Sequence, residues 1–165
     1  MVNIVELDES TLVKTEKLVS KVFPAMDIPE KLSFWAYKHR ENRIVKILMK
    51  LCGVSSLLKF FAAIDENGEV RGTTGFYSYT KDDKEAIWLA WFCVDPEARG
   101  KGIGKQLIEY SIDEGRKYNK KYFRLYTSTD KNEAAAQHLY EKYGFKIKTQ
   151  KKTLFYTKII RELEF

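Results

Sequence analysis

Apolar and polar positions along this chain change period several times, and each change marks an element. Val2 to Leu7 alternates, as a strand with one covered face does. From Ser10 to Phe23 the apolar residues take helical spacing, at Leu12, Val13, Leu18, Val19 and Val22, and Pro24 ends the run. Pro29 to Leu51 keeps that spacing and suits one long helix or two shorter ones. Leu58 to Ile64 is a continuous apolar and aromatic run. Asp65-Glu66-Asn67-Gly68 follows it and carries the Asn-Gly pair of a tight hairpin. Val70 to Tyr79 then reads as the return strand, Lys81 to Lys84 as a turn, and Glu85 to Val94 as a third strand.

After Val94 the order alters. Ile103 to Tyr118 is helical, with an apolar stripe at Ile103, Leu107, Ile108 and Ile112, and Tyr122 to Thr127 returns to a strand pattern. Strand, helix and strand in succession predict a right-handed crossover between parallel strands. A short helix over Glu133 to Tyr143 follows, and Phe145 to Ile147 with Leu154 to Ile160 form a closing antiparallel pair. The pattern predicts one domain over residues 1–165. Its class is α/β in the α+β sense, with a mixed, mostly antiparallel central sheet flanked by helices.

Composition narrows the picture. At 165 residues, 44% hydrophobic and 32% charged, the chain has enough apolar surface for a full core. A net charge of +6 suits an anionic ligand. It would also permit nucleic-acid or membrane-surface binding, but the basic clusters at Arg116 to Lys121 and Lys146 to Lys152 sit in no nucleic-acid motif and read as solvated surface. Cys52 and Cys93 lie in unlike segments, which argues against a disulfide and for a reducing compartment. No spacing ties His39 or His138 to Cys93 as an activating base, and no metal-ligand pattern occurs. The apolar stretch Ile44 to Leu58 is broken by Lys46 and Lys50. With no apolar run at the start, the expectation is a cytoplasmic protein with no membrane, metal or nucleic-acid partner.

The segment with most chemistry is Val94-Asp95-Pro96-Glu97-Ala98-Arg99-Gly100-Lys101-Gly102-Ile103-Gly104. It joins a strand to a helix, and its glycines stand at alternate positions. Absent side chains let the backbone approach a ligand closely, and a helix start offers unpaired N–H groups of partial positive charge. Together they cradle phosphate oxygens, and Arg99 and Lys101 add full charges. The order excludes a Walker loop, because Gly102 rather than Ser or Thr follows Lys101, and it excludes the G-x-G-x-x-G dinucleotide fingerprint.

The segment closely resembles the pyrophosphate loop of the GNAT superfamily of acyl-CoA N-acyltransferases. Arg99-Gly100-Lys101-Gly102-Ile103-Gly104 fits that loop in two overlapping registers, and Val94-Asp95-Pro96 is typical of what precedes it. A later stretch, Asn132 to Phe145 with Ala135-Ala136, Leu139-Tyr140 and Gly144-Phe145, resembles the family's late helix. The resemblance implies acetyl-CoA as cosubstrate and direct transfer to an amine. It places Phe92, Cys93, Val94, Arg99, Gly100, Lys101, Gly102, Ile103, Gly104, Asn132 and Ala135 against the cosubstrate, and Tyr140 as the acid that protonates the leaving thiolate. Asn132 stands one residue earlier than in the commonest version of the motif, so a plain helix cap is its alternative role. A strand carboxylate common in the family, near Ala90, is absent here. Glu85 is the nearest acid, and its position beside a charged turn reads as solvated. Phe34, Trp35, Tyr37, Trp88 and Trp91 could line an aromatic acceptor pocket or belong to the core. Residues 38–49, basic then apolar, suit a lid or an ordinary amphipathic helix. The expected activity is N-acetylation of a small-molecule or peptide amine. The alternative is an acyl-CoA-binding module without transfer activity. A homodimer is compatible with the implied fold.

Overall fold

The computed structural model describes residues 2–24 and 28–165. Seven strands form one sheet in the order β1-β2-β3-β4-β5-β7-β6. They are β1 (Asn3–Glu6), β2 (Val54–Ile64), β3 (Val70–Tyr79), β4 (Ala86–Val94), β5 (Tyr122–Ser128), β6 (Lys146–Lys152) and β7 (Thr157–Glu164). Every neighbouring pair is antiparallel except β4 and β5. The helices are α1 (Glu9–Val22), α2 (Ile28–Lys38), α3 (Arg43–Leu51), α4 (Ile103–Arg116) and α5 (Ala134–Lys142). The crossover expected between β4 and β5 is therefore present, with α4 as its connection.

Local chemistry accounts for the helix ends. Asp8 caps α1 in a reciprocal box: its carboxylate accepts from Thr11 N–H at 2.8 Å, and Asp8 N–H donates to the Thr11 hydroxyl at 2.9 Å. Asn42 caps α3 through Ile44 N–H at 2.8 Å, which divides residues 29–51 into two helices. β2 starts at Val54, four residues before the sequence pattern shows it, because Ser55 and Ser56 carry no apolar signal.

The sheet is covered on both faces. Leu18 and Val19 of α1 and Phe34 and Tyr37 of α2 pack with Phe60, Ala62 and Cys93 on one side. Ile108 and Ile112 of α4 pack with Phe61, Phe76, Phe123, Tyr140 and Phe145 on the other. Consecutive residues Phe60 and Phe61 serve opposite cores, as strand geometry requires. Each such burial is worth roughly 1.5–3 kcal/mol. The buried hydroxyls of Thr74 and Ser111 meet at 2.7 Å and join β3 to α4 without leaving a polar group unpaired. α3 rests on the first residues of β2 through Val45 and Met49, and Ile44, Ile47, Leu48 and Leu51 face outward. That location is at the end of the sheet opposite the glycine loop. Among the described residues no helix is long and apolar enough to cross a membrane.

Candidate active site

β4 and β5 pair only from Ala86↔Tyr122 to Trp88↔Arg124. Beyond Trp88 they part, and the sheet has an opening between two strands that point the same way. Two features hold it. At the closed end Arg124, almost fully buried, donates to Asp82 at 2.6 Å, Glu85 at 2.8 Å and Glu162 at 2.6 Å. Trp88 Nε1 donates to Asp82 there as well, at 3.1 Å. At the open end β4 carries a bulge: Thr73 faces Cys93 and Gly75 faces Ala90, so Thr74 lies opposite both Trp91 and Phe92. Trp91 takes φ of 48°, a conformation uncommon outside glycine. Its ring stacks on Phe34 at 5.5 Å, and packing against α2 holds the strained backbone in place.

The glycine loop leaves the open end of β4. Asp95 fixes its root. Its N–H donates to the Arg71 carbonyl at 2.9 Å, and its carboxylate accepts from Lys21 at 2.9 Å and Arg71 at 3.2 Å. Burial pushes the Asp95 carboxyl up, but Lys21, the Glu97 amide and Arg71 outweigh it and hold the pKa below 3.8. A single 3₁₀ turn, Pro96–Ala98, follows, and then Gly100 and Gly102 adopt φ of 79° and 78°. A Cβ at either position would meet nothing within 4 Å, so the ground above the loop is open. Gly102 precedes α4 with no side-chain cap, and the first helical bond runs from Gln106 N–H to the Gly102 carbonyl. The amides of Ile103, Gly104 and Lys105 therefore point out of the helix start. Arg99 and Lys101 are exposed beside them. Ile103 itself is buried, so only its backbone faces the cradle.

Tyr140 stands across the opening. It is 5% exposed, with its ring 5.7 Å from Phe92 and 5.9 Å from Phe145. Burial, reinforced by the charge of Glu133, holds its phenol protonated well above 10.0. Ala135 is exposed on the same helix and leaves room beside it. The side chain of Asn132 lies outside the described residues; its backbone belongs to the 3₁₀ turn Lys131–Glu133 that leads into α5. Cys93 turns into the core beneath α1 and α2, where burial pushes its thiol up to about 12. It has no nucleophilic role, though its backbone lines the strand.

The five aromatics do not form one pocket. Trp88 packs on Tyr77 and Tyr79 at the closed end, Tyr37 is buried with its hydroxyl accepting from Phe60 N–H, and Trp35 lies against His39. Phe34 and Trp91 alone meet, with Phe23 beside them. Glu85 is held by Arg124 at the closed end, away from Tyr140. Pattern reading overlooked Glu133, whose carboxylate binds the end of β5. The one-residue offset of Asn132 from the usual motif was the available signal, because it moves a different side chain into that place.

The sequence model of a family described as an acetyltransferase (GNAT) domain matches residues 56–147, more than half of the chain. The chain belongs to the GNAT acetyltransferase family, whose cosubstrate is acetyl-CoA. It is 35% identical over 72 residues to the spermine/spermidine N(1)-acetyltransferase of Bacillus subtilis, a match that covers 42% of this chain and 46% of that protein. The aligned part thus spans about half the length of the curated relatives. Among solved structures it is similar to an acetyltransferase of the GNAT family from Staphylococcus aureus Mu50, with TM-score 0.71, 20% identity and coverage of 99% and 100%. It is also similar to yncA of Salmonella typhimurium, solved with its cofactor acetyl-CoA, with TM-score 0.67, 19% identity and coverage of 99% and 94%.

Proposed function

We propose that the protein transfers the acetyl group of acetyl-CoA to a primary amine of a small molecule or peptide. The observation that carries this reading is the placement of Tyr140 opposite the unzipped part of β4, with the open glycine cradle at the end of the same strand. Acetyl-CoA supplies an activated acyl group on a thiol leaving group. The amides of Ile103, Gly104 and Lys105, with Arg99, Lys101 and the two open glycines, fit its pyrophosphate. The backbone of Phe92, Cys93 and Val94, free of β5, offers hydrogen bonds to the amides of its arm, and Ala135 leaves space alongside. As the carbon–nitrogen bond forms and the carbon–sulfur bond breaks, the Tyr140 hydroxyl gives its proton to sulfur, and the proton that the acylated nitrogen sheds returns through water to restore the phenol. A buried phenol that stays protonated at neutral pH is suited to that task.

No side chain of the opening is assigned as base. Glu85 is engaged by Arg124, and the amine reaches its neutral form through water. The Bacillus relatives are named for spermine and spermidine, which makes polyamines the first acceptors to test. The test is free-thiol release from acetyl-CoA across a panel of amines. Tyr140→Phe is expected to lower kcat by about 10²-fold or more with little change in acetyl-CoA affinity. Glu85→Gln should leave kcat within about threefold. Acetyl-CoA binding with no thiol release from any amine would support a binding module instead.

A further inference from the structure

The start of α5 carries a polar assembly centred on Glu133 and Gln137. Glu133 turns its carboxylate back onto the last two residues of β5. Oε2 accepts from the Thr127 hydroxyl at 2.6 Å and from Ser128 N–H at 3.0 Å, and Oε1 accepts from the Ser128 hydroxyl at 2.5 Å. Gln137, one turn further on, donates to the Ser128 carbonyl at 2.8 Å and the Thr127 hydroxyl at 3.3 Å. The Gln137 oxygen in turn accepts from Arg161 of β7 at 2.8 Å, and Arg161 also donates to Glu141 at 2.6 Å. α5, β5 and β7 are thereby bolted together just where β5 has left β4.

Strand parity shows which edge is engaged. Tyr122 N–H donates across to Glu85 before β4, whereas Thr129 N–H donates across to Thr157 before β7. Backbone groups alternate sides along a strand, so those of even-numbered β5 residues face β4. Ser128 is one of them. Its N–H and its carbonyl are the groups with which a continued β4–β5 ladder would pair, and both are taken by side chains of the α5 segment.

We propose that Glu133 is a positioning residue for acetyl transfer: by capping the open edge of β5 it fixes the gap to β4 and the place of the Tyr140 hydroxyl. This rests on the reading of Tyr140 as proton donor. A carboxylate suits the task because its two oxygens accept several bonds at once, and three donors converge here. The charge of Glu133 also reaches the buried Tyr140 and favours its protonated form.

The test is a double-mutant cycle with acetyl-CoA and the best acceptor of the amine panel. Glu133→Ala is expected to lower kcat about tenfold or more while the KM for acetyl-CoA stays within about threefold. Glu133→Gln keeps an oxygen for Ser128 N–H and should recover most of the rate. In a Tyr140→Phe background, Glu133→Ala should cost less than about twofold. Ser128→Ala, which removes one partner and leaves the helix intact, should lower kcat severalfold; it decides the matter if Glu133→Ala does not fold. Wild-type kcat in Glu133→Ala and Ser128→Ala would overturn the proposal, as would full additivity with Tyr140→Phe. Equal impairment of the Gln and Ala variants, with loss of the acidic limb of the pH profile, would overturn it by making Glu133 a proton carrier. Wild-type turnover in Tyr140→Phe would sink the proton-donor reading first, whereas an impaired Tyr140→Phe beside an unimpaired Glu133→Ala would sink this inference alone.

Discussion

Cys93 and Tyr140 show how burial alone separates inert groups from useful ones. Both are packed in the interior near the unzipped strand, and both are held in their neutral forms. A thiol needs its anion to react, so protonation silences Cys93; a phenol that donates needs its proton, so the same physics suits Tyr140 to the donation proposed for it. The consequence is measurable. Cys52 is exposed and Cys93 buried, so an aromatic disulfide reagent at pH 8 should titrate one thiol per native chain and both in denaturant. Rapid reaction of both thiols in the folded protein would show that the core beneath α1 and α2 opens readily.

At the scale of elements, the turn after β4 is the feature the sequence displayed most clearly. A strand, a proline, two basic residues and alternate glycines are all local signals, and the strand end, turn and helix start fall where they imply. Gly102→Val tests it. The new side chain would meet no neighbour, so the cost is the left-handed backbone, about 1–2 kcal/mol or somewhat more for a branched residue. That strain falls on an exposed loop. The variant should remain folded by circular dichroism and lose the rise in melting temperature that saturating acetyl-CoA gives the parent. A normal ligand-induced shift would remove the loop from the binding site. Other elements were less legible because their determinants are not local. β6 is exposed along its whole length, so the sequence pattern shows only its start, near Ile147, and its pairing with β7 reveals the rest, to Lys152. The bulge at Trp91 depends on Phe34, far away in the chain. Glu133 acquires its role from the end of β5, which no helix pattern reports.

Over the whole molecule, the buried and paired groups set a pH window. Asp65 lies below its ordinary 3.8, chiefly through Arg71. Asp95 and Glu162 are raised by burial, but their basic partners more than offset it and leave them below 3.8 and 4.5. A carboxyl lowered by folding binds fewer protons in the folded state, so its stabilisation is complete above the ordinary value and drains as pH falls through the lowered one. Cys93, Tyr77 and Tyr140 are raised above 9.0, 10.0 and 10.0, and their contribution is complete below those values and lost as pH rises beyond them. Melting temperature should therefore be nearly flat between about pH 5 and pH 9 and fall on both sides. A melting temperature that held constant from pH 9 to pH 11 would contradict the alkaline half.

The parting of β4 from β5 after Trp88 leaves half of a strand without its neighbour in the middle of a sheet. Peptide groups in that position are ordinarily satisfied by another strand; in the proposed reading the arm of acetyl-CoA takes that place. On that proposal, secondary structure is a shared property of protein and cosubstrate, and the sheet would be completed anew in each catalytic cycle. Amide protons of residues 89–94 that face the gap should exchange rapidly with solvent in the free protein and slow by an order of magnitude or more with bound coenzyme A, while those of β2 and β3 barely change.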